Sequence, residues 1–127
     1  MRKTVKAFKA LSDETRLRVL NLILERECCV CEVMQALEIS QSKASRHLSA
    51  LYDAGFLKLK KEGLWSLYSI DEAMENYLSD MVSAARKSLI GNREAELDRE
   101  RLKTTQRTGM VCKSCTLETA QVVQGNA

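Results

Sequence analysis

The sequence has no proline, a single histidine and no long apolar run, and each absence narrows what the chain can be. Proline interrupts helices by removing a backbone donor, so its absence fits a mostly helical chain. No apolar stretch approaches the ~20 residues that a membrane span needs. The basic start of the chain runs on through Lys6 and Lys9 rather than into a secretory apolar segment. We therefore expect a cytoplasmic protein with no membrane partner.

The sequence also lacks a catalytic constellation. It has no recognisable Ser/His/Asp set, no paired acids and no phosphate-binding loop. The one histidine, His47, has no second histidine with which to share a metal ion. The length of 127 residues suits one domain that can bury a real core without disulfide staples. An enzyme is therefore not expected.

Hydrophobic spacing predicts four helices in the first half of the chain. The second helix begins at an N-cap in Ser12-Asp13 and ends near Arg26, and residues 27–29 are predicted to be a break. The fourth helix begins at Ser40 and ends at Gly55, a residue type common just past a helix end. Only three residues join the third and fourth helices, and the fourth has a polar outer face. This arrangement is typical of a helix-turn-helix.

After Gly55 the hydrophobic period changes from that of a helix to that of a strand. Leu57 and Leu59 alternate with lysines, residues 65–70 are rich in strand formers, and Gly63 lies between the two runs. These features predict a β-hairpin directly after the helix-turn-helix, which is a wing. The predicted fold class is therefore mainly α with a β-hairpin wing, a winged helix-turn-helix. We also expect it to be homodimeric.

Two apolar stripes need covering. One lies on the first helix, and the other lies on a helix predicted from Asp71-Glu72 to Gly91 that carries Leu78 and Met81. One small domain cannot easily cover both, so pairing across a two-fold axis predicts a homodimer; burial within one subunit is the alternative. We assign residues 1–91 to a winged helix-turn-helix DNA-binding and dimerisation domain. Residues 92–127 are assigned to a polar helical extension and a cysteine-containing mobile tail.

One face of the fourth helix is predicted to contact DNA. With Ala44 at the centre of the buried side, the polar residues point the opposite way at 100° per residue. Small hydroxyls permit close backbone approach, an arginine can fork onto a guanine edge, and wing lysines can reach phosphate. The expected contacts are Gln41, Ser42, Ser45, Arg46, His47, Ser49, Lys60 and Lys61. An ordinary solvated face is the alternative, which the adjoining wing disfavours.

The five cysteines fall into two groups, near position 30 and in the tail. The groups are Cys28, Cys29 and Cys31, and Cys112 and Cys115. An odd number in a reducing compartment does not suit a disulfide framework, whereas soft-ion ligation or thiol redox chemistry does. Burial as small hydrophobes is the alternative for the first group, and a tail without a role is the alternative for the second. A thiol oxidoreductase is not expected, because the chain lacks a βαβ pattern.

The stretches Phe8–Leu17, Cys29–Glu32, Ser40–Leu48 and Trp65–Tyr68 together resemble a known family, the ArsR/SmtB winged-helix metalloregulators. The Cys-Val-Cys-Glu stretch is similar to the arsenite-sensing branch, the repressors of arsenical-resistance operons. The resemblance implies a dimer that sits on double-stranded operator DNA and leaves when As(III) or Sb(III) binds, with no organic cofactor. In the family that the chain resembles, zinc sites are clusters of histidines and carboxylates. Because this chain has a single histidine, we do not expect that type of site.

The cysteine spacing predicts how an ion would be held. Trivalent arsenic typically takes three thiolates. Cys29 and Cys31 would point about 200° apart in a regular helix but lie on one side of an extended segment. Binding is therefore expected to unwind the start of the third helix, which packs on the DNA-contacting helix. The third ligand is open between Cys28 and the tail cysteines, because the resembling branch often has cysteine where this chain has Met34.

Two alternatives to arsenite sensing remain. The first is a thiol-redox repressor whose cysteines oxidise to disulfides and so release DNA. The second is a sensor of another soft metal, such as Cd(II) or Pb(II).

Overall fold

The computed structural model describes residues 1–107, and within them six helices surround a small sheet. Cys112 and Cys115 lie outside the described residues. The elements are α1 (Arg2–Leu11), α2 (Glu14–Glu25), β1 (Cys28–Cys29), α3 (Val30–Leu37), α4 (Gln41–Asp53), β2 (Leu57–Glu62), β3 (Trp65–Ile70), α5 (Asn76–Ser88) and α6 (Arg93–Lys103). A helix-turn-helix of α3 and α4 followed by the β2–β3 hairpin confirms the predicted winged helix-turn-helix.

Local side-chain caps explain where the central helices begin. The Asp13 carboxylate accepts a hydrogen bond of 3.0 Å from the Arg16 amide at the start of α2. The Ser40 hydroxyl accepts one of 3.2 Å from the Lys43 amide at the start of α4. Each bond satisfies an amide that lacks a partner within its helix. Gly55, with φ +96°, lets the chain leave α4 in a conformation that other residues rarely adopt.

The core lies between α2, α3, α4 and the sheet. Its largest fully buried apolar side chains include Phe56, Leu20, Leu22, Leu48, Leu51, Leu67, Val19 and Val33. α3 and α4 both pack on this core and contact each other. Within residues 1–107, no helix combines the length and apolarity that crossing a membrane requires.

The break predicted at residues 27–29 is wrong in part, because Cys28 and Cys29 form a short strand. The sheet is antiparallel with order β1-β3-β2, and Cys28 lies opposite Tyr68 while Cys29 lies opposite Leu67. A strand of two residues carries no alternating pattern for a sequence to display, so only tertiary pairing defines it. The segment Cys28–Cys31, called the cysteine segment below, is thereby joined directly to the wing.

The predicted start of α5 at Asp71-Glu72 is also displaced. The Asp71 carboxylate accepts a hydrogen bond of 3.0 Å from the Ala73 amide, which closes a turn, and α5 begins only at Asn76. At its other end α5 stops at Ser88, and Gly91 lies beyond it with φ +80°. Acidic residues that resemble a helix start here make a turn instead, as short polar side chains often do.

The predicted helical extension is present as α6, but it is packed rather than exposed. Ala95, Asp98 and Leu102 are buried against α2 and α3. Arg18 of α2 donates to both carboxylate oxygens of Asp98, at 2.8 and 2.9 Å. The buried face contains only two apolar residues and one charged residue, so the sequence shows no clear stripe. A domain boundary at residue 91 stays a prediction.

On α1 the small apolar side chains are buried, but two large ones face outward in the single chain. Ala7 and Ala10 are the buried positions, whereas Val5 and Phe8 are 43% and 58% exposed. The apolar residues of α5 are divided, with Leu78 buried and Met81 partly buried. α1 therefore has an exposed apolar surface in the single chain.

Candidate DNA interface and cysteine segment

The outer face of α4 presents the polar residues that the sequence predicts. Ser42, Arg46 and Ser49 are exposed, whereas Ala44 and Leu48 are fully buried on the opposite side. Gln41 and Ser45 are half-buried at the flanks. The exposed face of α4 therefore carries one arginine and small hydroxyl side chains, residue types that can contact a DNA groove; the contact itself stays a prediction.

His47 lies apart from the other predicted DNA contacts. Its side chain is only 7% exposed, and Nδ1 is 3.5 Å from the Arg16 guanidinium. Burial lowers the pKa of His47, and the nearby Asp13 carboxylate offsets this only in part. The neutral ring thus packs between α4 and the start of α2, and a phosphate contact by His47 stays a prediction.

The wing carries its lysines on β2, where both predicted residues are exposed. The Lys60 ammonium nitrogen lies 3.8 Å from a carboxylate oxygen of Glu27 and 3.6 Å from one of Glu62, so Lys60 forms ion pairs with both acidic residues. Lys61 is the next residue on the strand and its side chain points to the other face. Exposed ion pairs of this kind contribute little to stability, and contact of either lysine with DNA phosphate stays a prediction.

The three cysteines near position 30 are buried at the junction of β1 and α3. Cys28, Cys29 and Cys31 are 0%, 3% and 0% exposed. Cys31 is disulfide-bonded in the structure, whereas Cys28 and Cys29 are not. Burial raises the pKa of both Cys28 and Cys29 to about 12, so these two sulfurs are protonated thiols at neutral pH.

Cys29 has a structural task as the N-cap of α3. Its backbone is extended, and its sulfur accepts a hydrogen bond from the Glu32 amide while the Glu32 carboxylate accepts one of 2.9 Å from the Cys29 amide. This reciprocal pair is a capping box in which sulfur takes the place of the usual hydroxyl. A sulfur recruited as a ligand would no longer cap the helix.

Glu32 is a functional candidate that the sequence reasoning missed. Its buried carboxylate also accepts hydrogen bonds from Arg26, at 2.9 Å, and Arg107, at 3.0 Å. Burial alone would raise the pKa of Glu32, but the Cys29 amide and the two guanidinium groups outweigh it and the pKa is lowered. The spacing of three residues from Cys29 to Glu32 was the available signal, since a capping box has that spacing.

The chain after α6 is tied to the start of α3. Arg107 donates to the Glu27 carbonyl as well as to Glu32, at 3.3 Å. Gln35 and Gln106 exchange two hydrogen bonds, of 2.9 and 3.1 Å. The described chain therefore ends beside the cysteine segment.

A complete ion site is not preformed in the described part of the chain. Within residues 1–107, no group of three or more histidine, cysteine, aspartate or glutamate residues converges so as to hold a metal ion. Cys29 lies on extended backbone and Cys31 lies in the first turn of α3, and the unwinding of that turn on ion binding stays a prediction. The structure brings the three cysteines into one segment but not around one point.

The helix-turn-helix and the first strand of the wing match a family model described as "Bacterial regulatory protein, arsR family" over residues 13–64. The chain is 43% identical over 76 residues to the arsenic resistance transcriptional regulator ArsR1 of Pseudomonas putida, and the match covers 59% of each protein. It is 38% identical over 82 residues to the arsenical resistance operon repressor of Bacillus subtilis, covering 63% of this chain and 78% of that protein. HlyU from Vibrio cholerae superposes with a TM-score of 0.60 at 29% identity, over 70% of this chain and 94% of that chain.

These similarities agree with the geometry. The chain spans over half the length of the Pseudomonas relative and more than two thirds of the Bacillus relative. The matched residues include the outer face of α4, the cysteine segment and β2. Both relatives are transcriptional regulators and not enzymes. The chain therefore belongs to the arsR family of bacterial regulatory proteins.

Proposed function

We propose that the chain is a repressor that binds operator DNA as a homodimer and leaves it when As(III) or Sb(III) binds Cys29 and Cys31. The observation that carries the proposal is the double use of Cys29. Its sulfur caps the first helix of the helix-turn-helix, and the same sulfur is half of a soft-ion pair with Cys31. Effector binding and correct capping of α3 then exclude one another, which gives the ligand the differential affinity that allostery requires.

The proposed binding reaction balances without an added base. Arsenous acid carries three hydroxyl groups. Each hydroxyl takes the proton of one cysteine thiol and leaves as water, while the sulfur forms a bond to arsenic. Three thiols thus yield one arsenic trithiolate and three waters, with no change of oxidation state. The reaction needs Cys31 in its reduced form, as a reducing cytosol provides.

For the third ligand we propose a tail cysteine, Cys112 or Cys115, rather than Cys28. Adjacent residues on a strand point to opposite faces, and Cys28 and Cys29 are neighbours on β1. Arg107 is held at Glu32, and Cys112 follows only five residues later. Five residues can reach up to about 17 Å, enough to return to the start of α3.

The third ligand is tested by two variants in one assay. Operator-bound protein is titrated with arsenite under strong reductant, using Cys28→Ser and the double variant Cys112→Ser, Cys115→Ser. We expect Cys28→Ser to be released like the parent chain and the tail variant to resist release. Arsenic X-ray absorption then counts two sulfurs in the tail variant and three in the parent. Normal release of the tail variant together with failure of Cys28→Ser assigns the ligand to Cys28.

For assembly we propose that a second copy of the chain covers the apolar side of α1. Val5 and Phe8 are exposed there in the single chain. A two-fold pair places two recognition helices about one DNA turn, ~10 bp, or a multiple of it apart, so the operator is expected to be an imperfect inverted repeat.

A thiol-redox repressor is the second candidate, favoured by one observation. Cys31 is disulfide-bonded in the structure, so a thiol in the first turn of α3 is open to oxidation. One operator-binding assay separates the candidates. Arsenite under strong reductant releases the proposed sensor, whereas peroxide alone releases the redox alternative. Parallel titrations with Sb(III), Cd(II) and Pb(II) rank the soft ions, and release by Cd(II) or Pb(II) without As(III) would contradict the proposed effector.

A further inference from the structure

The wing strand β3 connects the cysteine segment to the rest of the sheet. β3 lies between β1 and β2, so Tyr68 is opposite Cys28 on one side and opposite Leu59 on the other. Loss of β1 would turn β3 from a central strand into an edge strand. The position of Tyr68 therefore depends on whether the cysteine segment remains paired.

The Tyr68 side chain in turn contacts α4. Its ring meets the Tyr52 ring edge to face, with centroids 6.5 Å apart and planes at 79°. Burial raises the pKa of Tyr68, and a hydrogen bond with Ser49 offsets this only in part. Both partners lie on α4, and Ser49 belongs to its exposed DNA face. Tyr68 is thus a side chain of β3 that contacts the recognition helix directly.

Ion binding at Cys29 would oppose the pairing of the cysteine segment with β3. Cys29 is the last residue of β1 as well as the N-cap of α3. To share an ion with Cys31, its sulfur must leave the cap and the first turn of α3 must extend. The ladder that resists this movement is two residues long, and such short pairings are weak on their own. The neighbouring Glu27–Lys60 ion pair of 3.8 Å is exposed and adds little.

From these contacts we infer that Tyr68 is a positioning residue that carries effector binding from β1 to α4 and the wing, as a second route beside α3. The inference rests on the proposed function, because it needs an effector at Cys29. When β1 leaves the sheet, β3 shifts, and the Tyr68 ring shifts relative to Tyr52 and Ser49. The wing and the recognition helix then change together, so both parts of the DNA interface lose their fit.

The test compares operator affinity with and without arsenite in three variants. Tyr68→Leu removes one ring of the pair. Tyr52→Leu removes the other at a side chain that is 45% exposed, so it folds even if the buried variant does not. Tyr77→Leu makes the same change on α5 and is the matched control. An edge-to-face pair corresponds to between about twofold and twelvefold in an equilibrium constant. We expect the arsenite-induced loss of affinity to shrink by that factor in both ring variants and to be unchanged in the control.

Two further readouts separate a relay from simple damage. Arsenite binding without DNA, measured by equilibrium dialysis, is expected to stay within about twofold of the parent in both ring variants, because neither residue is a ligand. Trp65, the only tryptophan of the chain, lies on β3. In the parent chain, arsenite is expected to change its fluorescence and to speed hydrogen exchange of the β3 amides.

The outcomes are distinct. If arsenite releases the operator while β3 exchange stays constant and both ring variants respond fully, the route through Tyr68 is wrong and the proposed function stands. If the ring variants lose arsenite binding itself, Tyr68 has no relay role. If the parent chain binds no arsenite, the proposed function and the relay fail together.

Discussion

At the residue scale, the proposed switch depends on a sulfur in the place of a hydroxyl. An N-cap is usually serine, threonine, aspartate or asparagine, because an oxygen accepts well from a backbone amide. Cys29 is a weaker acceptor that also binds soft ions. Glu32 compensates by holding the Cys29 amide, Arg26 and Arg107 together. The first turn of α3 is therefore stable without ligand yet open to competition by one.

Glu32→Gln tests this role of the carboxylate. We expect a loss of about 2 kcal/mol in the free energy of unfolding, since charged hydrogen bonds are lost while both arginines keep some exposure to water. Glu25→Gln is the control, because its ion pair with Arg99 is 3.9 Å long and half exposed; it should change stability by less than about 0.5 kcal/mol. Chemical denaturation measures both. An unchanged denaturation midpoint for Glu32→Gln would show that the Glu32 carboxylate does not stabilise the fold.

The pH dependence of stability follows from the same carboxylate. Its folded pKa lies below the ordinary value of 4.5, so the unfolded chain binds the proton more readily. The contribution of Glu32 is therefore complete above pH 4.5 and is lost as the pH falls through the folded value. Below pH 4.5, the free energy of unfolding should decrease more steeply with falling pH for the parent chain than for Glu32→Gln. Equal slopes would contradict the direction of this pKa.

At the element scale, helices with local caps could be predicted and pieces defined only by long-range contact could not. Asp13, Ser40 and Gly55 mark helix ends within a few residues of sequence, and each mark is confirmed. β1 and the packing of α6 have no such local signal. β1 exists because β3 pairs with it, and α6 docks through an aspartate that the sequence presents as an ordinary surface charge.

Asp98→Asn tests how α6 is held. Asp98 is fully buried and binds Arg18 and Arg101. Removing one partner of a buried pair leaves uncompensated charge, so we expect a loss of about 3 kcal/mol and faster hydrogen exchange throughout α6. Glu94→Gln alters the same Arg18 at an exposed contact of 3.5 Å and is the matched control. Equal stabilities of the two variants would show that the Arg18–Asp98 pair does not hold α6.

At the scale of the whole molecule, the proposed repressor needs two copies of the chain. Phe8→Glu places a charge in the apolar surface of α1, where Phe8 is 58% exposed and its loss costs the single chain little. We expect sedimentation of Phe8→Glu to show monomer at micromolar concentration, and operator affinity to fall with it. Leu64→Glu, at the exposed wing turn, is the control for sedimentation. Dimeric Phe8→Glu would place the interface elsewhere.

The most direct test of the central claim is arsenite titration of a labelled operator complex, followed by fluorescence anisotropy under strong reductant. Serine at position 29 is a better N-cap than cysteine but offers no thiolate. Cys29→Ser is therefore expected to bind the operator at least as tightly as the parent chain and to stay bound when arsenite releases the parent. Cys31→Ser should behave likewise. Full release of both variants by arsenite would show that the sensing site lies elsewhere and would contradict the account.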